Sequence, residues 1–114
     1  MTARSTWKGY ERRVAAAVGG RRIPVTGIDR DGVDVDAGPF VYQVKLRARA
    51  SATDIRKWLE GICRVAQAEE HRIDFGFREY ATPTGVLVWK EPGQCDEDAL
   101  VILRFADWRA LHGK

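Results

Sequence analysis

Two short stretches carry residue types that could do chemistry together: Asp34 with Asp36, and Gln43 with Lys45. They lie on the two arms of residues 33–45, where Gly38-Pro39 marks a tight turn between β-prone runs. Side chains alternate along the second arm, so Phe40, Tyr42 and Val44 point one way and Val41, Gln43 and Lys45 the other. An amide oxygen and an ammonium therefore stand about 7 Å apart on one face. Asp34 and Asp36 share a face of the first arm, and the usual hairpin register brings a carboxylate, an amide and a lysine onto one patch. That is what metal-assisted phosphodiester hydrolysis needs. A carboxylate and a neutral oxygen can hold Mg²⁺, which keeps several of its waters. The lysine can orient or activate a water and offset charge on the phosphate.

These residues need elements to position them. A first helix is predicted from about Thr6 to Val18, capped by Ser5 or Thr6 and ended by Gly19-Gly20. Trp7, Val14 and Val18 mark its apolar stripe, with Tyr10 and Ala17 beside it, and Lys8, Arg12 and Arg13 face outward. Glu11 falls on the inward stripe, where an unpaired carboxylate is costly, so it should meet a cation, a donor or a metal. Pairing with an arginine, or a place at the stripe's wet edge, is the purely structural alternative.

Residues 21–27 read as a short extended segment, with Arg21 and Arg22 available as phosphate contacts or as solubilising charge. A polar turn, residues 28–32, leads into the hairpin. Beyond Lys45, Arg47 continues the Gln43–Lys45 face, and Arg49 does so if the strand persists. Ser51 and Asp54 form a capping-box-like start for a second helix reaching about Glu69. Its stripe is Ile55, Trp58, Leu59, Ile62, Val65 and Ala66; core packing is the default use, and its exposed edge could support a homodimer. Residues 70–84 are ambiguous between a loop with aromatic anchors and an extra strand. Strands are then predicted over 85–90 and 99–105, separated by an acidic loop, with a short closing helix from Asp107 to His112. The fold class expected is α/β, a mixed sheet of about five strands flanked by helices.

Length and composition fit one domain over residues 1–114, with 45% hydrophobic and 31% charged residues. No run is long and apolar enough to span a bilayer, and no signal segment opens the chain, so a cytoplasmic protein with no membrane partner is expected. Cys63 and Cys95 show no metal spacing; Cys63 reads as a small buried thiol. His71 and His112 have no second ligand or nucleophile at a useful spacing. The net charge of +3 is uneven: residues 1–57 hold 12 Lys/Arg against 6 Asp/Glu, and residues 58–114 hold 7 against 10. Basic surface around a small acidic pocket suits a polyanion.

Four segments in order, Lys8-Gly9-Tyr10-Glu11-Arg12, Arg22-Ile23-Pro24-Val25-Thr26-Gly27, Asp34 and Gln43-Val44-Lys45, resemble the PD-(D/E)xK nuclease superfamily. The nearest pattern is its archaeal and phage Holliday junction resolvase branch, and the resemblance covers roughly residues 6–70. It implies a restriction-endonuclease-like core in which Glu11 and Asp34 are metal ligands, Gln43 gives an amide oxygen and the Val44 carbonyl adds another. Lys45 would position the attacking water or stabilise the pentavalent phosphate, and Thr26 would bond near the scissile phosphate. The family further implies Mg²⁺, with Mn²⁺ as a substitute, and a homodimer that binds branched DNA through basic surface. Lys8, Arg12, Arg13, Arg21, Arg22, Arg47 and Arg49 are the candidates for that surface. The departure is Gln43, where glutamate is usual; an uncharged amide weakens metal affinity. Asp36, two residues from Asp34 and on the same face, is the candidate to supply that charge, while position in the motif favours Asp34 as the ligand. The alternative is a DNA-binding module on the same fold that has lost or weakened its metal site.

Overall fold

The computed structural model describes residues 3–23, 33–68 and 83–112, with side chains of the first helix from Trp7 onward. In chain order the elements are α1 (Ala3–Val18), β1 (Arg21–Arg22), β2 (Val35–Asp36), β3 (Phe40–Leu46), α2 (Ala52–Ala68), β4 (Thr84–Lys90), β5 (Leu100–Ile102) and α3 (Phe105–His112). A one-turn 3₁₀ segment, Asp96–Asp98, lies between β4 and β5. The five strands form one sheet in the order β1-β2-β3-β4-β5. Neighbours pair antiparallel except β3 and β4, which run parallel across α2, so the fold is α/β with a mixed sheet.

The two faces of the sheet follow from alternation along β3 and β4. Val44, Val86 and Val88 pack against Tyr10, Val14 and Ala15 of α1, with Phe40, Tyr42 and Leu46 alongside. Val41 turns to the other face and meets Ile62 and Ala66 of α2. Gly85 lets α2 lie close there: a Cβ would come within 2.9 Å of the Ile62 backbone. The second helix starts where its capping pattern predicts. Ser51 N–H donates to the Asp54 carboxylate, and Asp54 N–H to the Ser51 hydroxyl, both at 3.1 Å.

Several expectations need correction. The first helix begins at Ala3, not Thr6, so neither Ser5 nor Thr6 caps it. Its buried stripe is Tyr10, Glu11, Val14 and Ala15, while Ala17 and Val18 are exposed. Helix α1 ends where Gly19 (φ 69°) takes the left-handed turn and Gly20 N–H closes onto the Ala15 carbonyl. Strand β3 stops at Leu46, which takes Arg47 and Arg49 off the Gln43–Lys45 face. Strand β5 ends at Ile102, and Phe105 opens α3 instead of extending the strand. The ambiguous segment from Glu70, up to residue 82, with His71, lies outside the described residues, as do Thr26 and the polar turn at 28–32. Among the described residues no helix is long and apolar enough to cross a membrane. Cys63 is buried, Cys95 is exposed, and both thiols are free.

Candidate metal centre

The hairpin turn forms as predicted: Ala37 N–H donates to the Phe40 carbonyl, and Gly38 takes φ 83°. Below it, Val35 pairs with Tyr42 and Asp36 with Val41. At Asp34 the regular ladder breaks. Its N–H goes to the Tyr42 carbonyl, and its Oδ2 accepts the Val44 N–H at 2.7 Å. A side chain thus replaces a backbone acceptor, and the Asp34 carboxylate sits at the margin of β3. Asp36 has a different local role: its Oδ1 accepts the Gly38 N–H at 2.9 Å and serves the turn.

Glu11 comes from α1 and is 1% exposed. Arg22 of β1 donates its Nε–H to Glu11 Oε1 at 2.7 Å. The arginine pairing weighed for Glu11 is therefore present, and Arg22 serves the site rather than the outer surface. Lys45 is not the ion-pair partner of Glu11; its ammonium lies over the Trp58 ring, 5.3 Å from the centroid.

Electrostatics tie these groups into one site. Burial pushes the Asp34 carboxyl up to about 7, with the Glu11 charge adding to the rise. The Val44 N–H, Lys45 and Arg22 oppose it. Lys45 is lowered, chiefly by burial and then by Arg47, while Asp34 and Glu11 hold it up. Among the described residues, Tyr10 Oη, Glu11 Oε2 and Gln43 Oε1 are buried and have no hydrogen-bond partner. Leaving a buried acceptor unmet costs about 1–3 kcal/mol, and an oxygen-seeking cation is one group that would satisfy Glu11 Oε2.

Glu11 and Asp34 are oxygen donors of the kind a hard divalent ion takes; among the described residues no group of three or more His, Cys, Asp and Glu gathers.

The expected basic surface is only partly as read. Lys8, Arg12, Arg13, Arg21, Arg47 and Arg49 are exposed, Arg13 while donating to Asp96 with its Nε 2.6 Å from Oδ2; Arg22 is turned to Glu11. Missed by sequence reasoning were Trp58, read as core stripe, and the clamp of Arg13 and Lys90 on Asp96. Lys90 Nζ lies 2.7 Å from Asp96 Oδ1 and 4.6 Å from the Tyr10 ring centroid. No sequence signal pairs residues so distant in the chain. Compared with protein-family models, curated proteins and solved structures, the chain shows no significant match, so the site is read from its own residues.

Proposed function

We propose that this protein is a Mg²⁺-dependent endonuclease acting on branched DNA, in the manner of the Holliday junction resolvases whose motifs it resembles. The observation that carries the reading is Glu11 Oε2, buried and without a hydrogen-bond partner, on a carboxylate whose charge acts on both Asp34 and Lys45. Glu11, Asp34 and Gln43 would hold the ion, with Mn²⁺ able to substitute. When bound, the divalent ion supplies Lewis-acid stabilisation of phosphate charge and eases deprotonation of a water. Asp34 is held at the margin of β3 by the Val44 N–H, which fixes one oxygen and directs the other. Lys45, half-buried with its ammonium over Trp58, holds the attacking water or meets charge developing on the phosphate. Lys8, Arg12, Arg13, Arg21, Arg47 and Arg49 are the exposed cations on offer to the DNA backbone.

A second copy of the chain is the protein partner we propose. The exposed apolar side chains Leu100, Val101, Phe105, Trp108 and Leu111 of β5 and α3 offer a surface for it. Helix α3 has eight residues and none is buried, a length that is marginal without packing. Sedimentation of the protein and of Trp108→Glu tests this; a wild-type monomer at all concentrations rules it out.

Gln43 favours a second reading, a DNA-binding module with weakened catalysis, because it leaves the donor set one charge short. A single assay separates the two: purified protein on four-way junction, flap and linear duplex, with Mg²⁺, Mn²⁺ or EDTA. Divalent-dependent cutting of the junction, lost in Lys45→Ala and Asp34→Ala, supports the nuclease. Salt-sensitive binding without cutting supports the module, and Gln43→Glu should then tighten divalent binding.

A further inference from the structure

Arg22 has a place in this site that its ion pair alone does not explain. Glu11 is 1% exposed, and an uncompensated carboxylate at that depth is strongly disfavoured. Arg22 answers it with one bond, Nε to Oε1 at 2.7 Å, and leaves Oε2 unmet. The two carboxylates Glu11 and Asp34 already face the cations Lys45 and Arg22, and Arg47 acts on Lys45 as well. A divalent ion entering alone would add two positive charges that these carboxylates have no spare charge to offset. A phosphodiester brings one negative charge and the attacking hydroxide another, which together offset the ion.

Resting on the divalent-site reading, we propose that Arg22 is a counter-cation for Glu11 that gives way to the metal and passes to the scissile phosphate. The ion and the phosphodiester then enter together, each favouring the other. The fork geometry of a guanidinium suits both partners, since carboxylate and phosphate oxygens are both met by its N–H groups. Arg22 lies on a two-residue strand, and its side chain keeps 19% of its exposure while that of Glu11 keeps 2%. Arg22 is thus a positioning residue for Glu11 before the ion binds and a phosphate contact afterwards.

The test is calorimetric Mg²⁺ titration of wild type, Arg22→Gln and Arg22→Lys without DNA, with thermal melts to confirm folding. Arg22→Gln keeps a donor for Glu11 and removes the charge; it should bind Mg²⁺ at least about fivefold more tightly. Arg22→Lys should stay within about twofold of wild type. For four-way junction DNA in Ca²⁺, Arg22→Gln should bind at least about threefold more weakly. In wild type, the Arg22 Nε–H resonance should leave its hydrogen-bonded position at saturating Mg²⁺, a readout that needs no variant to fold. Unchanged or weaker Mg²⁺ binding by Arg22→Gln, undiminished DNA affinity, or an unmoved resonance overturns the proposal while leaving the metal site standing. No Mg²⁺ binding by any of the three proteins overturns the metal site and this proposal together.

Discussion

Asp34 accepts the Val44 N–H at 2.7 Å, and with that bond a carboxylate takes the place of a backbone carbonyl in the β2–β3 ladder. The relationship anchors the site to the strand that carries Gln43 and Lys45. Burial raises the Asp34 pKa to about 7 against the lowering effect of that bond. A carboxyl raised in the folded state costs stability when ionised. Folded protein gains its proton below about 7, whereas the unfolded chain does so only near 3.8, so the Asp34 contribution becomes more favourable as pH falls between those values. Asp34→Asn keeps an acceptor for Val44 and removes the charge. In EDTA at pH 8 it should be more stable than wild type by on the order of 2–4 kcal/mol, with the gap closing by pH 4. Urea unfolding at both pH values checks this; a variant less stable than wild type at pH 8 contradicts it.

Divalent affinity should carry the same titration with the opposite sign. A metal needs the ionised carboxylate, so protons compete with it below about 7. For one competing proton, Mg²⁺ affinity should fall about tenfold between pH 8 and pH 6. Calorimetric titrations at these two pH values read it directly, and a flat profile would show that Asp34 is not a ligand.

Gly85 sets the approach of α2 to β4. A methyl group there would meet the Ile62 carbonyl carbon and oxygen at 2.9 Å, both backbone atoms. Neither can rotate away, so α2 must lift from the sheet. Gly85→Ala should cost roughly 1–3 kcal/mol in a denaturant melt. Because Lys45 rests on Trp58 of the same helix, activity should fall with it. A neutral or stabilising effect would contradict the packing described.

Asp96 ties the 3₁₀ segment before β5 to α1 through Arg13 and to β4 through Lys90, and these bonds lower its pKa to about 2. A carboxylate depressed in the folded state stabilises above its unfolded value, near 3.8, and loses that contribution as pH falls towards 2. The group is well exposed, so solvent screening limits the effect to about 1 kcal/mol or less. Thermal melts of Asp96→Asn should show a deficit at pH 6 that disappears by pH 2; a constant deficit would assign the loss to packing.

Local chemistry made much of this fold legible. The Ser51/Asp54 box, the turn at Gly38 and the alternation from Phe40 to Lys45 are each set by a few adjacent residues, and each stands where the sequence places it. What the sequence leaves open depends on partners far along the chain. Asp34 and Asp36 look equivalent by spacing, and only the Val44 N–H and the turn at Gly38 tell them apart. Arg13 reads as an outward charge until Asp96 folds against it, 83 residues later. Val18 has helical spacing with Val14, yet as the last residue of α1, just before the turn at Gly19, it is 36% exposed. For Glu11 the sequence narrows the answer to a cation, a donor or a metal. The structure supplies Arg22 on one oxygen and keeps the other unpaired.

The most direct measurement of the central claim is the number of divalent ions bound per chain, by Mn²⁺ titration followed by electron paramagnetic resonance, for wild type, Asp34→Asn and Glu11→Gln. The account predicts one site per chain in wild type, displaced by Mg²⁺ and lost or weakened at least about tenfold in either variant while both remain folded. Equal binding by all three proteins, or none by wild type, would contradict it.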